Sequence, residues 1–342
     1  MVLNLIRFST PLVFFFVSMF FGALLVVISG GLLGVWVGLE CGFLGVVSVL
    51  SGDSVQENES CMKYFVFQSI GSGILFLVFI LLGSGAGSFY SWGLFILGVC
   101  LKLGLFPFYF WVPSVMSLCS WFGCFAVSVW QKVAPLWFLS SCGLSYFLMH
   151  VLEVFSCVTG FIGAVGGLGL LHYRMLLGYS SLIHTSWMVL VAMVSGFGVL
   201  VYLVVYGVVL GVLMKDLFFL KVYSFLDFSS ASGPSFKSIF SVFLGFISLA
   251  GVPPFLGFFP KVLAVLVCWG SFPGGVLVLV FCSMVSLYYY LSVVISSGVG
   301  VGAGPHLFSA ETLKAGLTVS KVLVGFCYLV GLFLLAGVGF LG

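Results

Sequence analysis

The stretch Lys102-Leu103-Gly104-Leu105-Phe106-Pro107-Phe108-Tyr109-Phe110-Trp111-Val112-Pro113, followed by Trp130-Gln131-Lys132-Val133-Ala134-Pro135, decides what kind of chain this is. Each lysine lies inside a long apolar run, with a proline a few residues on. A cation at the centre of a bilayer costs at least ~2.5–3.5 kcal/mol on insertion scales. A proline inside a membrane helix frees a backbone carbonyl that must find another partner. A chain that carries both costs twice reads as one that handles charge inside the membrane.

Composition agrees. Of 342 residues, 63% are hydrophobic and only 6% charged, where a soluble domain carries about 25% charged residues. The apolar runs are apolar on all sides and do not alternate as barrel strands would, so the fold class is all-α and polytopic. A net charge of +3 is too small to imply a nucleic-acid partner. The 10 cysteines include no Cys-x-x-Cys and mostly lie in apolar runs, so they read as small buried hydrophobes. The first apolar segment runs on into further spans and does not read as a cleavable signal.

At roughly 20 apolar residues per crossing, about eleven transmembrane helices are expected, in one domain over 1–342. They are placed at 9–29, 31–51, 61–83, 91–116, 119–140, 144–170, 173–195, 197–223, 236–269, 275–297 and 318–340. The polar connections are Ser51 to Ser60, Asp227 to Lys237 and Ser296 to Val319. Lys102, Lys132, Lys215 and Lys261 fall inside these spans. The other basic residues are Arg7, Lys63, Arg174, Lys221, Lys237, Lys314 and Lys321. All of these fall at or near the ends that face inward if the N-terminus is inside, which places the C-terminus outside. The fourth span is interrupted from Gly104 to Pro107 and the ninth by Gly251-Val252-Pro253-Pro254 and Pro260. Spans four and nine are an odd number of crossings apart and so run in opposite directions. That is the pattern of inverted repeats with two discontinuous helices, which points to a transport site near the midplane.

The residues that carry charge in this setting are few. Glu40 lies mid-span with no opposite charge at helical spacing, so it is either a partner for a lysine on another helix or a neutral or structurally paired acid. Lys102 and Lys132 lie about ten residues from the expected helix ends, too deep to snorkel. A lysine whose carboxylate neighbour approaches or withdraws is a switchable proton site. Lys261 opens the second half of the interrupted ninth span. Lys215 and Asp216 are adjacent and face different sides of their helix, as a packing ion pair or as part of a path. His184 sits in the polar patch Tyr179-Ser180-Ser181-Leu182-Ile183-His184-Thr185-Ser186-Trp187, as a hydrogen-bonded structural histidine or a relay. His150 and Glu153 read as interfacial, and His172 and Arg174 as loop anchors. The sequence shows no metal constellation, phosphate loop or nucleophile–base motif, and hence no cofactor site.

Taken together, Trp36-Val37-Gly38-Leu39-Glu40, Lys102-Leu103-Gly104 with Pro107-Phe108 and Phe110-Trp111-Val112-Pro113, Trp130-Gln131-Lys132-Val133-Ala134-Pro135, Tyr179-Ser180-Ser181-Leu182-Ile183-His184 and Leu249-Ala250-Gly251-Val252-Pro253-Pro254-Phe255-Leu256-Gly257-Phe258-Phe259-Pro260-Lys261 resemble the NADH dehydrogenase subunit 2 family of mitochondrial complex I. Order and spacing match over about 1–300, and the short N-terminus is similar to the animal form. The resemblance implies an antiporter-like core membrane subunit that translocates protons across the mitochondrial inner membrane, coupled to electron transfer from NADH to ubiquinone. It implies a multi-pass chain with its N-terminus on the matrix side and its C-terminus on the intermembrane-space side. Its partners would be other membrane-arm subunits and the lipid bilayer. NADH, FMN, iron–sulfur clusters and ubiquinone are expected on other subunits. In the family the Glu40 and Lys102 positions form a glutamate–lysine pair, Lys132 is the central lysine and Lys261 the lysine of the second broken helix. Lys215, in Met214-Lys215-Asp216-Leu217-Phe218-Phe219-Leu220, is similar to a lysine-bearing motif of sister subunits. Tyr109, Ser114 and Met175 depart from the histidine, glutamate and second basic residue common there. Two other readings are a stand-alone secondary cation/proton antiporter and a structural membrane subunit whose charges only pack helices.

Overall fold

With no water to satisfy its backbone, an apolar run closes its own hydrogen bonds and becomes a helix. A computed structural model describes residues 10–84, 89–224, 227, 236–253 and 255–302. The described residues form α1 (Thr10–Ile28), α2 (Leu32–Leu50), α3 (Val55–Gly83), α4 (Phe89–Leu103), α5 (Trp111–Leu118) and α6 (Trp121–Phe125). A π-helical turn (Ala126–Trp130) follows, then α7 (Gln131–Ser141), α8 (Tyr146–Gly166), α9 (Tyr173–Ala192), α10 (Gly196–Leu220), α11 (Phe236–Ala250), α12 (Phe258–Cys268) and α13 (Pro273–Gly302). Among the described residues there is no strand, only one isolated bridge between His172 and Ser224.

Seven helical stretches among these residues are long and apolar enough to cross a membrane on their own. Tyr90–Leu103, Phe240–Ala250 and Phe258–Cys268 are shorter. They belong to the two interrupted spans: α4 and α5 divide the expected fourth span, and α11 and α12 the ninth. The expected span at 318–340 lies outside the described residues, as do Arg7, Pro254, Lys314 and Lys321.

One expected connection proves helical. Ser51 to Ser60 reads as a polar loop, yet α3 begins at Val55. Its start is a capping box: the Glu57 amide donates to Ser54 Oγ (3.2 Å) and the Ser54 amide to Glu57 Oε2 (3.4 Å). Glu59 and Lys63 add an i,i+4 pair at 2.6 Å. Local capping therefore carries the helix out beyond its apolar part.

Close packing in lipid depends on small residues at helix contacts. At the α1–α2 crossing a Cβ on Gly22 would lie 2.4 Å from the Gly42 nitrogen and 2.7 Å from the Gly38 oxygen, so the two backbones touch. The central element is α9, buried along most of its length. α7, α8, α10, α12 and α13 pack against it. Its N-terminal end is braced by Arg174, whose Nη1 donates to the Cys119 carbonyl at 2.7 Å. The guanidinium also lies 4.7 Å from the Tyr223 ring and 5.5 Å from Trp121, which bears out the anchoring role expected for it.

Both interrupted spans break in the same way. Gly104 (φ 72°) and Gly251 (φ 77°) adopt the left-handed conformation just past the ends of α4 and α11. This is the common glycine-terminated helix end. At the first, the Leu105 amide returns to the Cys100 carbonyl at 2.9 Å; at the second, the Gly251 amide returns to Ser248 at 3.0 Å. Carbonyls left over at each break accept from side chains of the following half. Trp111 Nε1 donates to Leu101 O at 3.2 Å, and Lys261 Nζ donates to Ala250 O at 2.6 Å.

Candidate functional site

The three lysines of the expected path, Lys102, Lys132 and Lys261, are 1%, 3% and 9% exposed. None snorkels out of the bundle. Each is placed by a local irregularity. Lys102 is the penultimate residue of α4, Lys132 follows the π-helical turn and precedes Pro135 within α7, and Lys261 lies in the first turns of α12. Such irregular backbone is tolerated at membrane depth where it is enclosed by protein, and π-turns recur at functional sites.

Lys132 reaches from α7 to α9. Its Nζ donates to the Ser181 carbonyl at 3.0 Å and to Thr185 Oγ1 at 2.7 Å. Ser181, His184 and Thr185 stand at i, i+3 and i+4 and share one face of α9. His184 Nδ1 lies 3.0 Å from Tyr202 Oη, and its ring centroid is 4.5 Å from that of Tyr206. The imidazole is within electrostatic reach of both Lys261 and Lys132. α9 thus brings the central lysine, the histidine and the lysine of the second broken helix to one locus.

Lys102 differs. Its Nζ has no hydrogen-bond partner and faces the Phe43 ring at 5.9 Å. Glu40, half-buried on α2, interacts with it electrostatically but makes no ion pair within 4.0 Å. Tyr64, fully buried on α3 and in contact with Phe43, also senses Glu40. Lys215 is half-buried and turns toward Phe219 on its own helix, 5.9 Å away. The neighbouring Asp216 faces inward and accepts a short hydrogen bond from Ser241 Oγ. The two residues therefore face different sides as expected, and the acid is the inward one. Ser114, at the position where glutamate is common, bonds back to the Trp111 carbonyl at 2.9 Å.

Two buried amides missing from the sequence reading join the lysine-bearing segments. Gln68 Nε2 donates to the Lys102 carbonyl at 3.2 Å, and Gln131 Nε2 donates to Gln68 Oε1 at 3.2 Å. Gln131 adjoins Lys132 in sequence, so the Gln68–Gln131 pair joins the backbone at Lys102 to the segment that carries Lys132. The signal was present as glutamines inside apolar runs, but only packing shows that they meet. His150 Nδ1 lies 2.8 Å from Glu153 Oε2, while Glu153 Oε1 accepts from the Gly275 amide at 2.8 Å. That pair ties α8 to the start of α13, away from the lysines. Among the described residues no three His, Cys, Asp or Glu side chains gather as for a metal ion.

The family described as NADH:quinone oxidoreductase/Mrp antiporter, TM, matches residues 29–287. NADH-ubiquinone oxidoreductase chain 2 of Mytilus edulis is 37% identical over 296 residues, covering 80% of this chain and 82% of that protein. The protein of the same name from Artemia franciscana is 32% identical over 331 residues, covering 93% and 98%. Among solved structures, a chain of respiratory complex I from Thermus thermophilus shares the fold, with a TM-score of 0.77 at 21% identity over 96% of this chain and 80% of that one.

Proposed function

The chain belongs to the NADH:quinone oxidoreductase/Mrp antiporter membrane family, in its NADH-ubiquinone oxidoreductase chain 2 branch, and from that premise we propose that it is an antiporter-like subunit through which respiratory complex I moves protons. It is a multi-pass protein of the mitochondrial inner membrane that acts as one transmembrane domain against lipid and other membrane-arm subunits. Electron transfer from NADH to ubiquinone takes place on other subunits, which carry the nucleotide, FMN, iron–sulfur and quinone sites. The distribution of basic residues supports an N-terminus on the matrix side and a C-terminus on the intermembrane-space side.

The observation that carries this reading is the line of enclosed amines next to two interrupted helices and a π-turn. Lys102, Lys132 and Lys261 hold the proton, and Glu40 stabilises the Lys102 ammonium when the two approach. When the pair separates, the proton passes toward Lys132. Thr185 suits either state of Lys132. Its hydroxyl already donates to the Ser181 carbonyl (2.5 Å) while accepting from the ammonium, and it can rotate to donate to a neutral amine. His184 lies between Lys132 and Lys261 as the relay, while Lys215 enters only through its neighbour Asp216. The test is Lys132→Met in the assembled complex: proton translocation per NADH is expected to fall with assembly retained. Undiminished stoichiometry would remove Lys132 from the path.

A further inference from the structure

Beyond the lysines, two tyrosines of α10 stand against His184, and two of α13 lie within electrostatic reach of those two. Tyr202, Tyr206, Tyr289 and Tyr290 are each at most 2% exposed. Tyr202 Oη meets His184 Nδ1 at 3.0 Å, and the Tyr206 ring lies against the imidazole. Tyr290 interacts electrostatically with Tyr202 and Tyr206, and its ring centroid is 4.6 Å from that of Tyr289. The hydroxyls of Tyr206, Tyr289 and Tyr290 have no partner in close hydrogen-bonding geometry. Each lies beside a serine hydroxyl, Ser128, Ser286 and Ser180 respectively, and the Tyr289 and Tyr290 hydroxyls lie beside each other.

The cluster has a direction. The Tyr289 ring packs on Gly167 at the C-terminal end of α8, where a Cβ would lie 2.7 Å from it. Tyr290 contacts Phe246, which contacts Tyr173, the first residue of α9. From His184 to Tyr173 is about 16 Å along the helix at 1.5 Å per residue. That is half of the ~30 Å hydrocarbon thickness. A buried hydroxyl left unsatisfied costs ~1–3 kcal/mol, and phenylalanine would fill the same volume without that cost. This chain uses Phe 40 times and Tyr 13 times, yet it places tyrosine at all four of these positions. A tyrosine hydroxyl is both donor and acceptor, and water bridging such groups needs two to four polar partners, which three tyrosines and their facing serines supply.

We propose that Tyr202, Tyr206, Tyr289 and Tyr290 form a hydrated proton branch connecting His184 with the end of the bundle where α8 passes to α9. Each link accepts a proton on its oxygen as it releases its own to the next, so one proton crosses and no group changes its net charge. The inference rests on the proposed function, since it assumes that His184 lies on a proton path.

The test uses the complete complex in sealed vesicles, with Tyr206→Phe, Tyr290→Phe and the double variant measured beside Lys132→Met. Proton uptake per NADH oxidised is expected to fall in each tyrosine variant with assembly unchanged. The double variant should be no worse than the more severe single, because links in series fail at one break. Normal stoichiometry in the tyrosine variants with loss in Lys132→Met would overturn the branch and leave the lysine reading intact. The reverse pattern would keep the branch and remove the lysine. Should the variants fail to assemble, an experimental density map of the unmodified complex decides. Ordered water within hydrogen-bonding distance of the Tyr206, Tyr289 and Tyr290 hydroxyls is expected, and a dry cluster overturns the proposal.

Discussion

Three glycines adopt positive φ among the described residues, Gly104 (72°), Gly169 (76°) and Gly251 (77°), and replacing each by alanine separates backbone strain from local packing. The strain is common to all three, ~1–2 kcal/mol for a left-handed residue bearing a Cβ. The surroundings differ. Nothing lies within 4 Å of a Cβ at Gly169, whereas at Gly104 the new methyl would sit 2.5 Å from Val112 Cγ2. Overpacking adds ~1–3 kcal/mol, so Gly104→Ala should cost ~2–5 kcal/mol against ~1–2 for Gly169→Ala. At Gly251 the methyl would meet Lys261 at 2.9 Å from Cδ and 3.0 Å from Nζ. That neighbour is the far end of a flexible chain and yields by leaving the Ala250 carbonyl. Gly251→Ala should therefore lose that bond, ~1.5–3 kcal/mol, on top of the shared strain, and should lose proton translocation. Native-gel yield and the thermal midpoint of NADH oxidation rank the three for stability, and vesicle acidification isolates the third. Equal yields for Gly104→Ala and Gly169→Ala would refute the steric argument. Full pumping by Gly251→Ala would refute the role given to the placement of Lys261.

Gln68→Leu leaves the Gln131 amide and the Lys102 carbonyl without their partner, at ~1–3 kcal/mol. The double variant Gln68→Leu/Gln131→Leu should lose less than the sum of the singles, read from thermal inactivation of the assembled complex. Outside the membrane, Asp227 Oδ2 accepts from the Tyr223 and Ser224 amides at 2.7 Å each. Burial acts to raise its pKa, but these bonds outweigh it and hold the carboxyl below the usual carboxylate range. Because the folded value is depressed, its stabilising contribution is present above about pH 4 and fades as pH falls through the folded value. Thermal inactivation between about pH 3 and 6 should accordingly be less pH-dependent in Asp227→Asn than in the parent.

The two interrupted spans and their lysines were legible in the sequence because lipid makes their cost explicit. A cation and a Gly/Pro break in an apolar run have few uses other than the one proposed. The partners were not legible. Lys132 finds its acceptors on Ser181 and Thr185, some fifty residues away in sequence, and nothing in local spacing encodes that α7 crosses α9 there. Lys215 shows the opposite failure. By composition it equals the other buried lysines, but helix phase turns it toward Phe219 and sends Asp216 inward to Ser241. The tyrosines around His184 escaped the sequence reading because a tyrosine in a membrane protein is ordinarily an interfacial residue. Their depth appears only once α9, α10 and α13 are packed. The early start of α3 was readable in principle, since Ser54 and Glu57 form a capping box, but it lies outside any apolar run.

The two broken helices assign their lysines different duties. At the second break the amine of Lys261 itself satisfies the freed carbonyl of Ala250. At the first, Trp111 and Gln68 cover Leu101 and Lys102, so the amine of Lys102 has no backbone to serve. A hydrogen bond to a charged group contributes ~1.5–3 kcal/mol. Lys132 must give up two and Lys261 one before either amine can turn, whereas Lys102 has none to lose. Its amine is within electrostatic reach of the Glu40 carboxylate on another helix. Within the proposed function, this makes the Glu40–Lys102 end the one most easily moved by an outside event, such as a shift of α2 against a partner subunit. Lys132 and Lys261, held by fixed acceptors, are then the sites at which a proton waits.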